Sequence, residues 1–279
     1  MTNARRMVLM VPLVLCAWAP AAPAVTILTE FIGGAPPANA AGAGNIVDIV
    51  QAAARIWESA YADSFTVRIH YGWASLDSAG THTLLEQGGA PNRELVGLIL
   101  FDNSGAVPFY LDPTPEANEE YRRLTKEYQD LGGGFVNVAR LFSNPAGEAA
   151  GRVDLLTVAL HEMGHALGMC NANLSYLDGS RPGVLVIADR LPFAGTAIPL
   201  AVNGAGVTSH IDAARVTYGA VMAGVCGDER RLPSGLDILA NAQVSSFEIL
   251  TLDSDPAASA RPADVRSARP GTVLRGDRR

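Results

Sequence analysis

Basic clusters, long apolar runs and cysteines are all scarce in this chain. Its 279 residues hold 21 Lys and Arg against 28 Asp and Glu, a net charge of −7. No block of Lys or Arg resembles a nucleic-acid surface, and no helix-turn-helix, zinc-finger or RNP pattern occurs. Nucleic acid is therefore not an expected partner. The most apolar segment, Met7 to Trp18, is shorter than the roughly 20 residues a membrane span needs. There are three cysteines, too few for a disulfide-framed miniature fold, and no internal repeat is visible.

The amino end carries a leader pattern instead of a span. Arg5 and Arg6 precede the apolar run, and Ala22-Pro23-Ala24 supplies a small-x-small cleavage site, so residues 1–24 are expected to be a signal peptide cut after Ala24. A retained anchor, or lipidation at Cys16, is the alternative, against which Leu15 is bulky for a residue before a lipidated cysteine. Export implies a secreted or periplasmic protein with no stable membrane association once cut. It also leaves Cys170 and Cys226 in an oxidising compartment, where one disulfide between them is expected.

At 48% hydrophobic and 18% charged, the remainder has enough apolar material for a substantial core. Val25 to Ile32 reads as a strand and Gly33 to Gly44 as a loop. Apolar positions from Ile46 to Tyr61 recur at helical spacing behind Asn45, a possible N-cap. Phe65 to Tyr71 alternates as a strand; Val96 to Phe101 and Val107 to Leu111 read likewise. Glu116 to Leu131 has the charge and amphipathicity expected of a helix, stopped by Gly132-Gly133-Gly134. Phe135 to Leu141 returns as a strand. Val153 to Leu167 is expected to be a helix with Asp154 near its start and Gly168 at its left-handed end. Residues 171–209 look irregular, with Val184 to Ile187 a possible strand. Ser234 to Asp237 is a capping box opening a last helix to about Phe247. From residue 253 the composition is that of a disordered tail. The sum is an α+β protein whose globular part is 25–252, divided near residue 168.

Against this background, residues 161–168 read His-Glu-Met-Gly-His-Ala-Leu-Gly. On a helix His161 and His165, four positions apart, project from one face and can share a metal ion. Glu162 lies about 100° round, placed to reach a water without joining the ligands. A catalytic zinc takes three protein ligands and leaves a position open. Two candidates for the third are Asn171 and His210. Of the other histidines, His70 reads as an ordinary strand residue and His82 as a solvent-facing loop residue.

HExxHxxG, followed by Ser209-His210-Ile211-Asp212 and then by Ala220-Val221-Met222-Ala223-Gly224, resembles the metzincin clan of zinc peptidases. It is closest to the leishmanolysin-like branch, in which a long insertion separates the helix from the third histidine. The likeness covers roughly residues 153–247. It implies a metzincin-like zincin fold: a twisted mixed sheet, two long helices, and a smaller irregular C-terminal subdomain with a Met-turn and terminal helix. It implies one catalytic Zn2+ on His161, His165 and His210, with Glu162 as general base toward a zinc-activated water. Met222 would floor the imidazoles, and Asp237 would accept hydrogen bonds from the Met-turn backbone. The activity implied is that of a secreted zinc endopeptidase, expected to be a monomer, acting on a protein or peptide substrate. Such a substrate would add to a sheet edge, Val107 to Leu111 or Phe135 to Val138. The sequence departs from the clan at Asn171, where a compact site has its third ligand, and lacks a tyrosine soon after the Met-turn, for which Tyr218 is a weak substitute. No cysteine lies between Val25 and Leu160, so a cysteine-switch propeptide is excluded. A non-catalytic zinc-binding protein and another HExxH amidase are the alternative readings.

Overall fold

The computed structural model describes residues 25–180, 183–204, 206–224 and 227–252. The expected signal peptide, the expected tail and Cys226 lie outside the described residues. The fold is mixed α+β. In chain order the first elements are β1 (Thr26–Gly33), α1 (Ile46–Glu58), β2 (Thr66–Ala74), β3 (Gly80–Gly88) and β4 (Arg93–Asp102). Four strands make one mixed sheet in the order β1-β2-β4-β3. β1, β2 and β4 run parallel, and β3 pairs antiparallel to β4 as an edge strand. Asn45 caps α1 by accepting from the Asp48 amide at 3.0 Å. The periodic residues Ile46, Ile49, Val50, Ala53, Ile56 and Trp57 are all buried, as a 3.6-residue stripe requires.

The middle of the chain forms β5 (Phe109–Tyr110), β6 (Tyr121–Asp130), β7 (Phe135–Pro145) and β8 (Val153–Asp154). Here the structure corrects one expectation. The segment 116–131 is not a helix: Tyr121–Asp130 pairs with β7 along its length as an antiparallel hairpin closed by the three glycines. Its polar residues read as a helix because both strand faces are largely exposed. Pairing with a buried neighbour, together with Tyr121, Thr125 and Tyr128, decides the conformation against local propensity.

Then comes α2 (Leu155–Ala166), every residue of which is buried. Asp154 caps it, accepting from the Thr157 amide at 3.0 Å and hydroxyl at 2.7 Å. Arg230 donates to Asp154 at 2.9 and 3.1 Å and also holds Asp112. This buried cation fixes the helix start to the loop after β5. Trp57 Nε1 donates to the Leu160 carbonyl at 3.0 Å, clamping α1 to α2. One continuous apolar cluster runs from Val25 through α1, the sheet and α2 to Phe247.

After α2 the chain makes α3 (Leu174–Ser180), β9 (Val184–Val186), β10 (Ala197–Asn203) and β11 (Gly206–Ile211). A 3-10 turn (Val221–Ala223), β12 (Arg230–Leu232) and α4 (Gly235–Ser245) follow. The stretch read as irregular thus contains a short helix and two strands of a three-stranded sheet. Ser234 and Asp237 form the expected capping box on α4.

Candidate metal centre

Two imidazoles come from α2 because i and i+4 share a face; the third comes from β11. His165 Nε2 stands 3.1 Å from His161 Nε2, and His210 Nε2 stands 3.2 Å from the same atom. The three rings offer one ligand atom each within 4.8 Å of one another. The elements beyond α2 thus bring His210 to the helix pair across 45 positions of sequence.

The outer nitrogens fix what the inner ones can do. His161 Nδ1 donates to the Val221 carbonyl at 2.8 Å, and His165 Nδ1 donates to the Met169 carbonyl at 2.5 Å. A carbonyl only accepts, so each ring carries its proton on Nδ1 and turns a bare Nε2 inward. Burial reinforces this. It holds His161 down at about 4 and His165 well below the ordinary imidazole range, and it lowers His210 as well. Two bare Nε2 atoms cannot hydrogen-bond to each other, and a shared cation is what satisfies them. Two nitrogens about 2.05 Å from a tetrahedral ion stand about 3.3 Å apart, close to the spacings here. Three neutral imidazoles also suit zinc as a donor set. By this test the residues fit the ion.

The turn beneath α2 is held as carefully. Asp237 accepts from the amides of Val221 at 3.2 Å and Met222 at 2.9 Å, and from Ser234 N at 2.8 Å and Oγ at 2.6 Å. Asp237 therefore caps α4 and pins the 221–223 turn at once. Met222 is fully buried against Gly164, where any Cβ would overlap its Sδ. Gly224 closes the turn at φ +73°, and a Cβ there would stand 2.9 Å from His210 Cδ2. Glycine is needed at 224 both for the left-handed backbone and for the approach of the ring.

These groups line a cavity of about 530 Å³, together with Ser78 to His82, Val158, Glu162, Cys170, Asn171, Ala172 and Ser209. Glu162 is buried, and burial pushes its carboxyl up to about 8. Gly80 of β3 lies against it, with a Cβ there falling 2.8 Å from Glu162 Oε1.

The chain matches no protein-family model, no curated protein and no solved structure.

Two other positions differ from expectation. His82 is not a solvent-facing loop residue. It sits on β3 with its side chain 2% exposed, bonded through Nε2 to Glu94 Oε1 at 2.7 Å, and its ring lies 6.2 Å from that of His165. Burial drives both members of this pair toward their neutral forms, His82 down and Glu94 up. Sequence reading missed it because Gly80, Thr81 and Thr83 look like loop, and nothing local announces a buried carboxyl partner twelve positions on. Tyr218 does not line the cavity; it is half exposed under the Arg231 guanidinium. His70 is, as expected, a strand residue, 3.2 Å from Glu30 at the surface. Asn171 lines the cavity wall. Cys170 is buried beside it, and its expected bridge to Cys226 falls outside the described residues.

Proposed function

We propose that the chain is a zinc-dependent peptidase of metzincin type, with His161, His165 and His210 as ligands and Glu162 as general base. The observation that carries this reading is the convergence of three bare Nε2 atoms on one point, with a buried carboxylate in the same cavity. The paired α1 and α2, the mixed sheet, and the Asp237-held turn carrying Met222 support the clan assignment. A zinc ion on the three imidazoles would supply a Lewis acid, acidifying water and polarising a carbonyl. Glu162, raised by burial into the neutral range, suits both halves of the proton traffic: it accepts from the attacking water and returns the proton to the leaving amine. The carbonyls of Val221 and Met169 orient two of the rings and keep them neutral. The sheet edge nearest the cavity is β3, not Val107 to Leu111, which meets β8, nor Phe135 to Val138, which β6 covers. An extended peptide would add to β3.

The reading is tested with Glu162→Gln. The variant should bind zinc as the parent does, measured by elemental analysis, and lose peptide cleavage by at least about a thousandfold. Retained cleavage would remove Glu162 from its role. A parent protein that holds zinc and cleaves nothing in a broad peptide library would favour the non-catalytic alternative.

A further inference from the structure

The cavity meets β3 only over Ser78 to His82, and beyond that it ends against Cys170, Asn171 and Ala172. That wall is sewn to the β3–β4 hairpin. Gln87 donates through Nε2 to the Ala172 carbonyl at 3.0 Å and accepts from the Leu174 amide at 3.1 Å. Asn173 Nδ2 donates to the Asn92 carbonyl at 3.1 Å, and the Asn92 amide donates to Ser175 Oγ at 2.9 Å. Four hydrogen bonds thus join residues 172–175 to both sides of the hairpin turn. Among the described residues, the groove along β3 is therefore stopped at its Gln87 end.

Which end of a peptide meets this stop follows from strand direction. Antiparallel addition is slightly the more stable pairing, and a peptide so placed runs against β3, with its amino end toward Gln87. Gly80, packed on Glu162, marks the reacting level. From Gly80 to His82 the open strand extends about 7 Å at about 3.3 Å per residue, room for two peptide residues and three at most. Resting on the peptidase reading above, we infer that the site takes the amino ends of peptides. It cuts after the first, second or third residue, and the Gln87–Ala172–Leu174 clasp is the barrier to longer amino-terminal extensions. The expected endopeptidase is thereby narrowed to an enzyme that trims from the amino end.

The test uses the zinc-loaded protein and quenched-fluorescent peptides sharing one scissile sequence, with one to eight residues before the cut. We expect kcat/KM to fall at least tenfold once a fourth residue precedes the bond. We also expect Gln87→Ala to raise the ratio of extended-to-short cleavage. Binding gives a second readout: zinc-loaded Glu162→Gln should bind a peptide extended by five amino-terminal residues at least tenfold more weakly than its short counterpart. Cleavage of internal bonds in unfolded casein as fast as in the short peptides would overturn the inference, as would trimming from the carboxyl end or equal binding of both peptides. Cleavage of no peptide at all would sink the peptidase reading, and this inference with it. The wild-type ladder decides the matter even if Gln87→Ala fails to fold.

Discussion

Gly164 lies inside the motif helix between the two ligand histidines, where alanine would ordinarily be the better residue by about 1 kcal/mol. The structure reverses that expectation. A Cβ at 164 would overlap Met222 Sδ and stand 3.3 Å from both Met222 Cε and Trp57 Cζ2. Met222 cannot swing away freely, being fully buried, with its amide held by Asp237 at 2.9 Å. Overpacking of this kind costs roughly 1–3 kcal/mol, so Gly164→Ala should cost about 1 kcal/mol net, and up to about 2. Met222→Ala alone should cost about 2–5 kcal/mol through the cavity it leaves. Once that space exists, adding Gly164→Ala should be neutral or stabilising by up to about 1 kcal/mol. The double-mutant cycle should then show a coupling of about 2 kcal/mol, measured by urea unfolding of chelator-treated protein. A Gly164→Ala protein about 1 kcal/mol more stable than the parent, or a cycle with no coupling, would refute the placement of Met222 against the motif helix.

Two further expectations concern buried acids. Asp237→Ala strands the amides of Val221, Met222 and Ser234 and the Ser234 hydroxyl; at about 1–3 kcal/mol for each stranded buried group, unfolding should show a loss of at least about 3 kcal/mol. Zinc affinity should also weaken, because Val221 orients His161. Burial holds the Glu94 carboxyl protonated in the folded protein, while the unfolded chain releases that proton above the ordinary carboxylate range. His82, held neutral, has the opposite effect only up to the ordinary imidazole range, so above it Glu94 acts alone and stability falls as pH rises, by up to about 1.4 kcal/mol per pH unit. Glu94→Gln should remove that contribution; urea titrations from pH 7 to 9 giving the same slope for parent and variant would contradict it.

The legible parts of the chain were those whose signals are local. The α1 stripe, the Asp154 and Ser234 caps and the HExxH face all follow from spacing within a few residues, and each element forms where the pattern places it. His210 was reachable across the intervening sequence because Met222 and Gly224 follow it at a recognisable distance. Where partners are remote, sequence reading failed. β6 is polar enough to pass for an exposed helix, and only its pairing with β7 makes it a strand. His82 looked solvated until Glu94 and the edge position of β3 were known. The clasp depends on Gln87 meeting Ala172 and Leu174, 85 and 87 positions away, a closure no local pattern encodes.

The central claim is that the motif helix supplies two ligands and β11 the third. It is tested most directly by zinc titration of the metal-free protein, wild type beside His210→Ala, with circular dichroism showing that both are folded. The account predicts one zinc per wild-type chain and an affinity at least a hundredfold weaker without His210. Equal zinc affinity in the two proteins, or no zinc in either, would contradict it.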